Sequence, residues 1–310
     1  MKKLALLLTL LMGAFGLTAC SVPADTGQGL TVVATTTQVT EFTTTIVGTA
    51  GSVTGLIQPN QSAHSFDPSA KQLLMLSQAD AVVINGADLE PWLKDALSAA
   101  NFTGTVIDAS TGIPLIESDP HVWTAPINAQ QMVTNIQTGL DGLSGITPAQ
   151  KKTFATNADA YNQQLTALDE WIVANLAQVP ADQRLLVTNH DAFTYFVDAY
   201  GINFLGSIIP SFDDNAEPSA AEIDALIALI KQSGAKAVFS EASISPKLAK
   251  TIASEAGVKV YSGDNALYSD SLGVTGSDGE TYIKATIHNV TMLMNAWGYP
   301  VLPLPAELSS

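Results

Sequence analysis

From Leu30 onward, short apolar runs alternate with segments whose apolar residues recur every three or four positions. LTVVATT is followed by a helical pattern through Phe42 and Ile46, and SVTGLI by a loop and a helix opened by Asp67-Pro68. AVVING leads into a helix around Trp92, and TVIDAS into a long loop. Strands that alternate with helices predict parallel sheets built from βαβ units. In Asp67-Pro68 a capping residue precedes proline at the first helical position, where its missing N–H costs nothing.

The alternation resumes at RLLVTN, INFLGSI, AVFSEA and VKVYSG, with helical patterns near Phe196, Leu226 and Leu248. Between the two blocks, apolar residues recur at Phe154, Tyr161, Leu165, Leu168, Ile172 and Leu176, after a Thr147-Pro148 start and before Pro180. These spacings are helical, and about 30 residues rising ~1.5 Å each make a rod of about 45 Å. The pattern therefore predicts an α/β protein of two Rossmann-like lobes with parallel sheets, residues 30–146 and 180–310. One long rigid helix, 147–179, joins them.

The first twenty residues, MKKLALLLTLLMGAFGLTAC, have a basic start and an apolar run from Leu4 to Leu17. That run is shorter than the roughly 20 residues a membrane span needs, and it reads as a secretory signal over residues 1–19. The Leu-Thr-Ala-Cys ending resembles a bacterial lipoprotein processing site, with Cys20 as the lipidated first residue of the mature chain. SVPADTGQG then reads as a flexible tether, giving an anchored segment at 20–29. Cys20 is the only cysteine, so no disulfide and no cysteine-ligated metal site forms within one chain.

Composition narrows the function. A chain of 310 residues with 46% hydrophobic and 14% charged residues has the makings of a large core and not of a disordered segment. With 13 Lys and Arg in all and a formal net charge of −16, it lacks the basic surface that nucleic acid requires, whereas an acidic surface gathers cations.

Three of the four histidines share a context. His64 lies in the loop between the second strand and its capped helix, His121 in the loop after the fourth strand, and His190 where a strand hands over to a helix. In doubly wound sheets, ligands bind in the crevice outside the carboxyl ends of the strands. Neutral imidazole is the commonest transition-metal ligand, and spacings this wide require a site assembled by the fold, not a local finger. His288 sits on the C-terminal helical pattern TYIKATIHNVTMLMNAW and reads as a packed or surface residue. For a fourth ligand, spacing alone leaves Asp264 and Asp270 open, Asp270 being followed by the turn-like Ser-Leu-Gly. Asp191 and Glu241 are candidates for orienting a metal-bound imidazole.

Taken in order, HSFDPSAKQ, DPHVWTAPINAQQM, NHDAFTYFVDAYGI, EPSAAEIDALIALIKQSGAKAVFSEASIS and LYSDSLG followed by TYIKATIHNV resemble the zinc- and manganese-binding solute-binding lipoproteins of bacterial ABC transporters. The resemblance covers the chain from about Leu30. It implies two lobes linked by a rigid helix and a metal held between them by His64, His121, His190 and Asp270, with Asp264 outside the set. It further implies an exported monomer, lipid-anchored at the cell membrane or periplasmic, that hands its metal to a membrane permease driven by a separate ATPase. Many zinc-specific members carry a His- and Asp-rich loop and a disulfide. Here the stretch from Pro114 to His121 has no earlier histidine, and a disulfide is impossible.

Three imidazoles and one carboxylate suit Zn(II) in tetrahedral geometry, whereas Mn(II) favours oxygen-rich sites. Zn(II) is the expected ligand and Mn(II), or a mixed-metal receptor, the alternative. Because a bound imidazole must be neutral, affinity should fall as pH drops toward ~6.5. The chain has no G-x-x-x-x-G-K-[ST] phosphate loop, no H-E-x-x-H and no G-x-S-x-G, and so is not expected to be an enzyme. A secreted metalloenzyme with an open zinc position and a surface adhesin remain the competing classes.

Overall fold

The computed structural model describes residues 29–309. The expected signal, Cys20 and the tether, apart from Gly29, lie outside the described residues. In the first half, β1 (Thr31–Ala34), β2 (Ser52–Gly55), β3 (Ala81–Ile84) and β4 (Thr105–Asp108) form one parallel sheet in the order β2-β1-β3-β4. Its central strands, β1 and β3, are apolar at successive positions because both faces are covered, whereas the edge strands β2 and β4 are largely exposed. Val32, Ala34, Ala81 and Val83 face the core shared with α1 (Thr37–Val47) and α4 (Pro126–Asp141). Val33 and Val82 face a second core under α2 (Ala70–Ser77) and α3 (Leu93–Ala99).

The linking helix is α5 (Pro148–Leu176). The Thr147 hydroxyl accepts from the backbone N–H of Gln150, and the Gln150 side chain accepts from the backbone N–H of Thr147, which satisfies two of the donors a helix start leaves unpaired. Its buried stripe runs through Phe154, Tyr161, Leu165, Leu168, Ile172 and Leu176.

In the second half, β5 (Leu185–His190) pairs with β6 (Asn203–Ile209), and β7 (Ala237–Phe239) with β8 (Lys259–Tyr261), all parallel. The expected sheet is thus two hydrogen-bonded pairs, with β5 packed beside β7. The resulting spatial order, β6-β5-β7-β8, mirrors that of the first half. Around it lie α6 (Thr194–Tyr200), α7 (Ala220–Ser233), α8 (Lys247–Ala256) and α9 (Tyr282–Trp297).

The two halves share one continuous core, in which Phe42 and Met132 of the first half join the α5 stripe and Phe196, Val290 and Leu293 of the second. Polar ties run along α5 as well. The Tyr161 hydroxyl donates to Glu41 at 2.8 Å, the Tyr200 hydroxyl to Asp169 at 2.5 Å, and the Trp171 indole N–H to the Leu302 carbonyl at 3.1 Å. Burial raises the Glu41 carboxyl to about 7, against the opposing pull of the Tyr161 hydroxyl. A helix bound to both lobes by apolar packing acts as a strut, so shortening a side chain on its stripe should be felt globally. Leu165→Ala, at a fully buried position, should lower stability by about 2–5 kcal/mol. In urea titration the midpoint should fall while the slope is unchanged.

Candidate metal centre

The carboxyl ends of the strands in both halves converge on one point. His64 lies in the irregular segment between β2 and α2, and His121 follows β4 at the start of a short turn of helix, residues 122–124. His190 is the last residue of β5, and Asp270 lies in the loop after β8. Two candidate ligands thus come from each half: His190 closes β5, and the other three lie in irregular segments beyond strand ends. Glu117 and Ser118 have φ of 50° and 64°, a left-handed turn that non-glycine residues enter only at a cost. That turn brings Asp119 back onto His121.

The four side chains offer one ligand atom each, all within 4.8 Å of one another. His64 Nε2 lies 3.2 Å from His121 Nε2 and 3.4 Å from Asp270 Oδ2. Asp270 Oδ1 is 3.3 Å from His121 Nε2, and Oδ2 is 3.3 Å from His190 Nε2. The side chains of His121, His190 and Asp270 are wholly buried, and that of His64 is 9% exposed. Both Asp270 oxygens and both ring nitrogens of His190 lack a hydrogen-bond partner, although buried acceptors and donors almost always have one. A cation at the centre of the cluster would supply a partner to Asp270 and to His190 Nε2.

The outer nitrogens are held by carboxylates. Asp119 Oδ1 lies 2.6 Å from His121 Nδ1 and also accepts from the His121 backbone N–H at 2.8 Å. Glu241 Oε2 lies 2.6 Å from His190 Nδ1, and Oε1 accepts from the His190 backbone N–H at 2.8 Å. Ser269 in turn donates its hydroxyl to Glu241. With His121 Nδ1 bonded to Asp119 and His190 Nδ1 beside Glu241, both imidazoles turn Nε2 inward, and a proton held on Nδ1 leaves the Nε2 lone pair that metal coordination requires.

Electrostatics in the metal-free site follow from the single inner carboxylate. Burial disfavours a charged His121, but Asp270 and Asp119 outweigh it and push the imidazole up to about 9. His190 is likewise penalised by burial and yet held well above its ordinary value by Glu241 and Asp270. Burial raises the Asp270 carboxyl, and the facing His190 and His121 more than reverse this, holding it well below the usual carboxylate range. Charged imidazoles are thus favoured beside Asp270, and a divalent cation would compete with their protons.

The remaining candidates fall elsewhere. Among the described residues no hydrogen bond links the Asp191 carboxylate to an imidazole. Burial raises its carboxyl, with the Asp119 charge adding to the effect, and its backbone N–H donates to the Ser211 carbonyl at 3.1 Å. Asp264 is exposed in a short helical turn, residues 263–265, outside the cluster. His288 is buried on α9 with Nε2 2.9 Å from the Ala266 carbonyl, a packed histidine away from the site. Asp119 is the residue that sequence reading passed over. Its signal was the Asp-Pro-His spacing, which lets a carboxylate two residues upstream reach the histidine's own N–H and Nδ1.

Known proteins share this architecture. Over 272 residues the chain is 29% identical to a manganese-binding lipoprotein, MntA, of Halalkalibacterium halodurans, covering 86% of this chain and 88% of that one. Over 279 residues it is 33% identical to the zinc-binding lipoprotein AdcA of Streptococcus pneumoniae, covering 84% of this chain. It spans only about half of that relative's length, 54%. Among solved structures, the periplasmic zinc-binding protein TroA of Treponema pallidum superposes with a TM-score of 0.79 at 28% identity, covering 87% of this chain and 99% of that one. Residues 32–296 match the family model described as zinc-uptake complex component A, periplasmic, and the chain belongs to that family.

Proposed function

We propose that the protein captures Zn(II) in the cleft between its lobes, through His64, His121, His190 and Asp270, and delivers it to an ABC-transporter permease. Family membership makes it an exported metal-binding receptor and not an enzyme. No helix among the described residues is long and apolar enough to cross a membrane, so passage through the bilayer falls to the permease and its ATPase. The lobe and linker boundaries at 30–146, 147–179 and 180–310, and lipidation at Cys20, belong to the same reading.

The observation that supports the zinc assignment is the donor set, three imidazoles and one carboxylate that converge on one point. Tetrahedral Zn(II) with bonds of about 2.0–2.1 Å places neighbouring ligand atoms roughly 3.3 Å apart. The four shortest contacts within the cluster, which draw on both Asp270 oxygens, span 3.2–3.4 Å, and one ligand atom from each residue lies within 4.8 Å of the others. Three nitrogens to one carboxylate also disadvantage Mn(II). Because relatives are named for zinc and for manganese, the choice is tested by competition. Metal-stripped protein lacking residues 1–20 should bind one equivalent of Zn(II) that excess Mn(II) fails to displace. Manganese binding of comparable strength would make this a manganese or mixed-metal receptor.

Removing the inner carboxylate should leave three neutral ligands, with only the outer carboxylates of Asp119 and Glu241 to offset the metal's charge. Asp270→Ala should therefore weaken zinc binding by more than about 100-fold in chelator competition, and Glu241→Gln by about 10–100-fold. A metalloenzyme using three histidines would retain metal in Asp270→Ala.

Protons compete with the metal over a higher range than free imidazole suggests. His121 titrates at about 9 in the metal-free protein, so apparent zinc affinity should fall about tenfold per pH unit for that proton as pH drops below this value. The stability of the metal-free protein moves the other way. The folded value lies above the unfolded ~6.5, so the His121–Asp270 attraction is fully present below ~6.5 and is lost as pH rises through about 9. Zinc affinity and metal-free thermal stability measured across pH 6–9 should therefore have opposite slopes; parallel slopes would contradict the charge assignment.

A further inference from the structure

His121 ends a stretch, residues 109–121, that contains neither strand nor helix, so its backbone groups need partners other than a regular ladder. Several of these come from the first lobe itself. The Asn85 side-chain amide donates to the Pro120 carbonyl at 3.1 Å, the Thr124 hydroxyl to the His121 carbonyl at 2.9 Å, and the Asp119 N–H to the Ile116 carbonyl at 2.8 Å. These bonds place the histidine within its own lobe. None of them reaches the lobe that carries His190 and Asp270.

Two tyrosines of the second lobe make that connection. Tyr195, the second residue of α6 and five residues after His190, donates its hydroxyl to the Asp119 carbonyl at 2.7 Å and accepts from the Ile116 N–H at 3.2 Å. Tyr282, the first residue of α9, donates its hydroxyl to the Trp123 carbonyl at 2.6 Å. Asp119 lies two residues before His121 and Trp123 two residues after it, so second-lobe phenols hold the carbonyls on both sides of this ligand. Both rings are 3% exposed and belong to the common core, where Tyr282 packs edge-on against Phe42 with centroids 5.1 Å apart. A tyrosine has only two side-chain torsions, so packing of the ring also fixes its oxygen.

We propose that Tyr195 and Tyr282 are positioning residues that set the place of His121 relative to His190 and Asp270, so that the ligands of the two lobes are already in register before metal arrives. The inference rests on the metal site assigned above. Each hydroxyl bonds backbone and not a metal-ligating atom, so its effect passes through the His121 segment. A ligand constellation works only when its members are held to within about 0.5 Å. Without the two phenols the His121 segment and the second lobe would shift against each other in the metal-free protein. Metal binding would then have to restore the order, with a loss of affinity.

The molecule contains a matched control. Tyr200, also buried and also on α6, donates its hydroxyl to Asp169 of α5 and makes no bond to the His121 segment. Tyr195→Phe, Tyr282→Phe, the double variant and Tyr200→Phe are compared by chelator competition for zinc, by the visible spectrum of Co(II)-loaded protein, which reports ligand geometry, and by the urea midpoint without metal. Tyr195→Phe and Tyr282→Phe should each weaken zinc binding by about tenfold, the double variant by more, and the double variant should alter the cobalt bands. Tyr200→Phe should lower the urea midpoint to a similar degree and leave zinc affinity and the cobalt spectrum at their parent values. Zinc affinity in Tyr195→Phe and Tyr282→Phe that falls no further than in Tyr200→Phe would overturn the proposal and leave the hydroxyls a purely structural role; the single variants decide this even if the double variant does not fold. Failure of the unaltered protein to bind one zinc would instead overturn the metal site, an outcome read before any variant is compared.

Discussion

The structure depends on one buried carboxylate facing three imidazoles. Asp270 carries the only inner charge of the cluster, and it comes from one lobe while His64 and His121 come from the other. A lone ionised carboxylate in this setting would be prohibitively costly to bury. It is tolerated because protons on His121 and His190, or a divalent cation, can balance it. The interlobe cleft is therefore closed by charge balance as well as by packing, and the same balance makes the site a trap for cations.

The surrounding architecture fixes that arrangement in space. Each lobe brings strand ends together in the same spatial order, and α5 holds the two sets at a fixed separation through a stripe buried in the common core. Asp119 and Glu241 lock the tautomers of His121 and His190 by binding ring and backbone at once. Such double attachment leaves the imidazoles little freedom, so little ordering remains to be done when a metal enters. His64 differs in having an exposed edge and a segment held from across the interface. His64 is thus the residue of the four nearest to solvent.

Much of this was legible in the sequence because its signals are local. Alternating apolar runs and helical spacings mark the α/β lobes, and Thr147-Pro148 with Pro180 brackets the linking helix. The ligand candidates were readable from a topological rule, since His64, His121 and His190 each follow a strand. What spacing could not decide was Asp264 against Asp270, because nothing local distinguishes two turn aspartates after the same strand. Asp119 left a local signal in the Asp-Pro-His spacing, two residues from the imidazole it holds. The contact of Ser62 with Asp214 left none, because it joins residues far apart in the chain that only the closed fold brings together. Asp191 shows the converse: although adjacent to His190 in sequence, its carboxylate makes no hydrogen bond to the imidazole, whereas Glu241, 51 residues on, lies 2.6 Å from Nδ1.

The central claim is that one zinc ion sits among three imidazole nitrogens and the Asp270 carboxylate. Zinc K-edge X-ray absorption of protein loaded with one equivalent tests it most directly. The account expects a first shell of four nitrogen and oxygen neighbours at about 2.0–2.1 Å, with outer-shell scattering from three imidazole rings. A six-coordinate, oxygen-dominated shell, or scattering from fewer than three imidazoles, would contradict it.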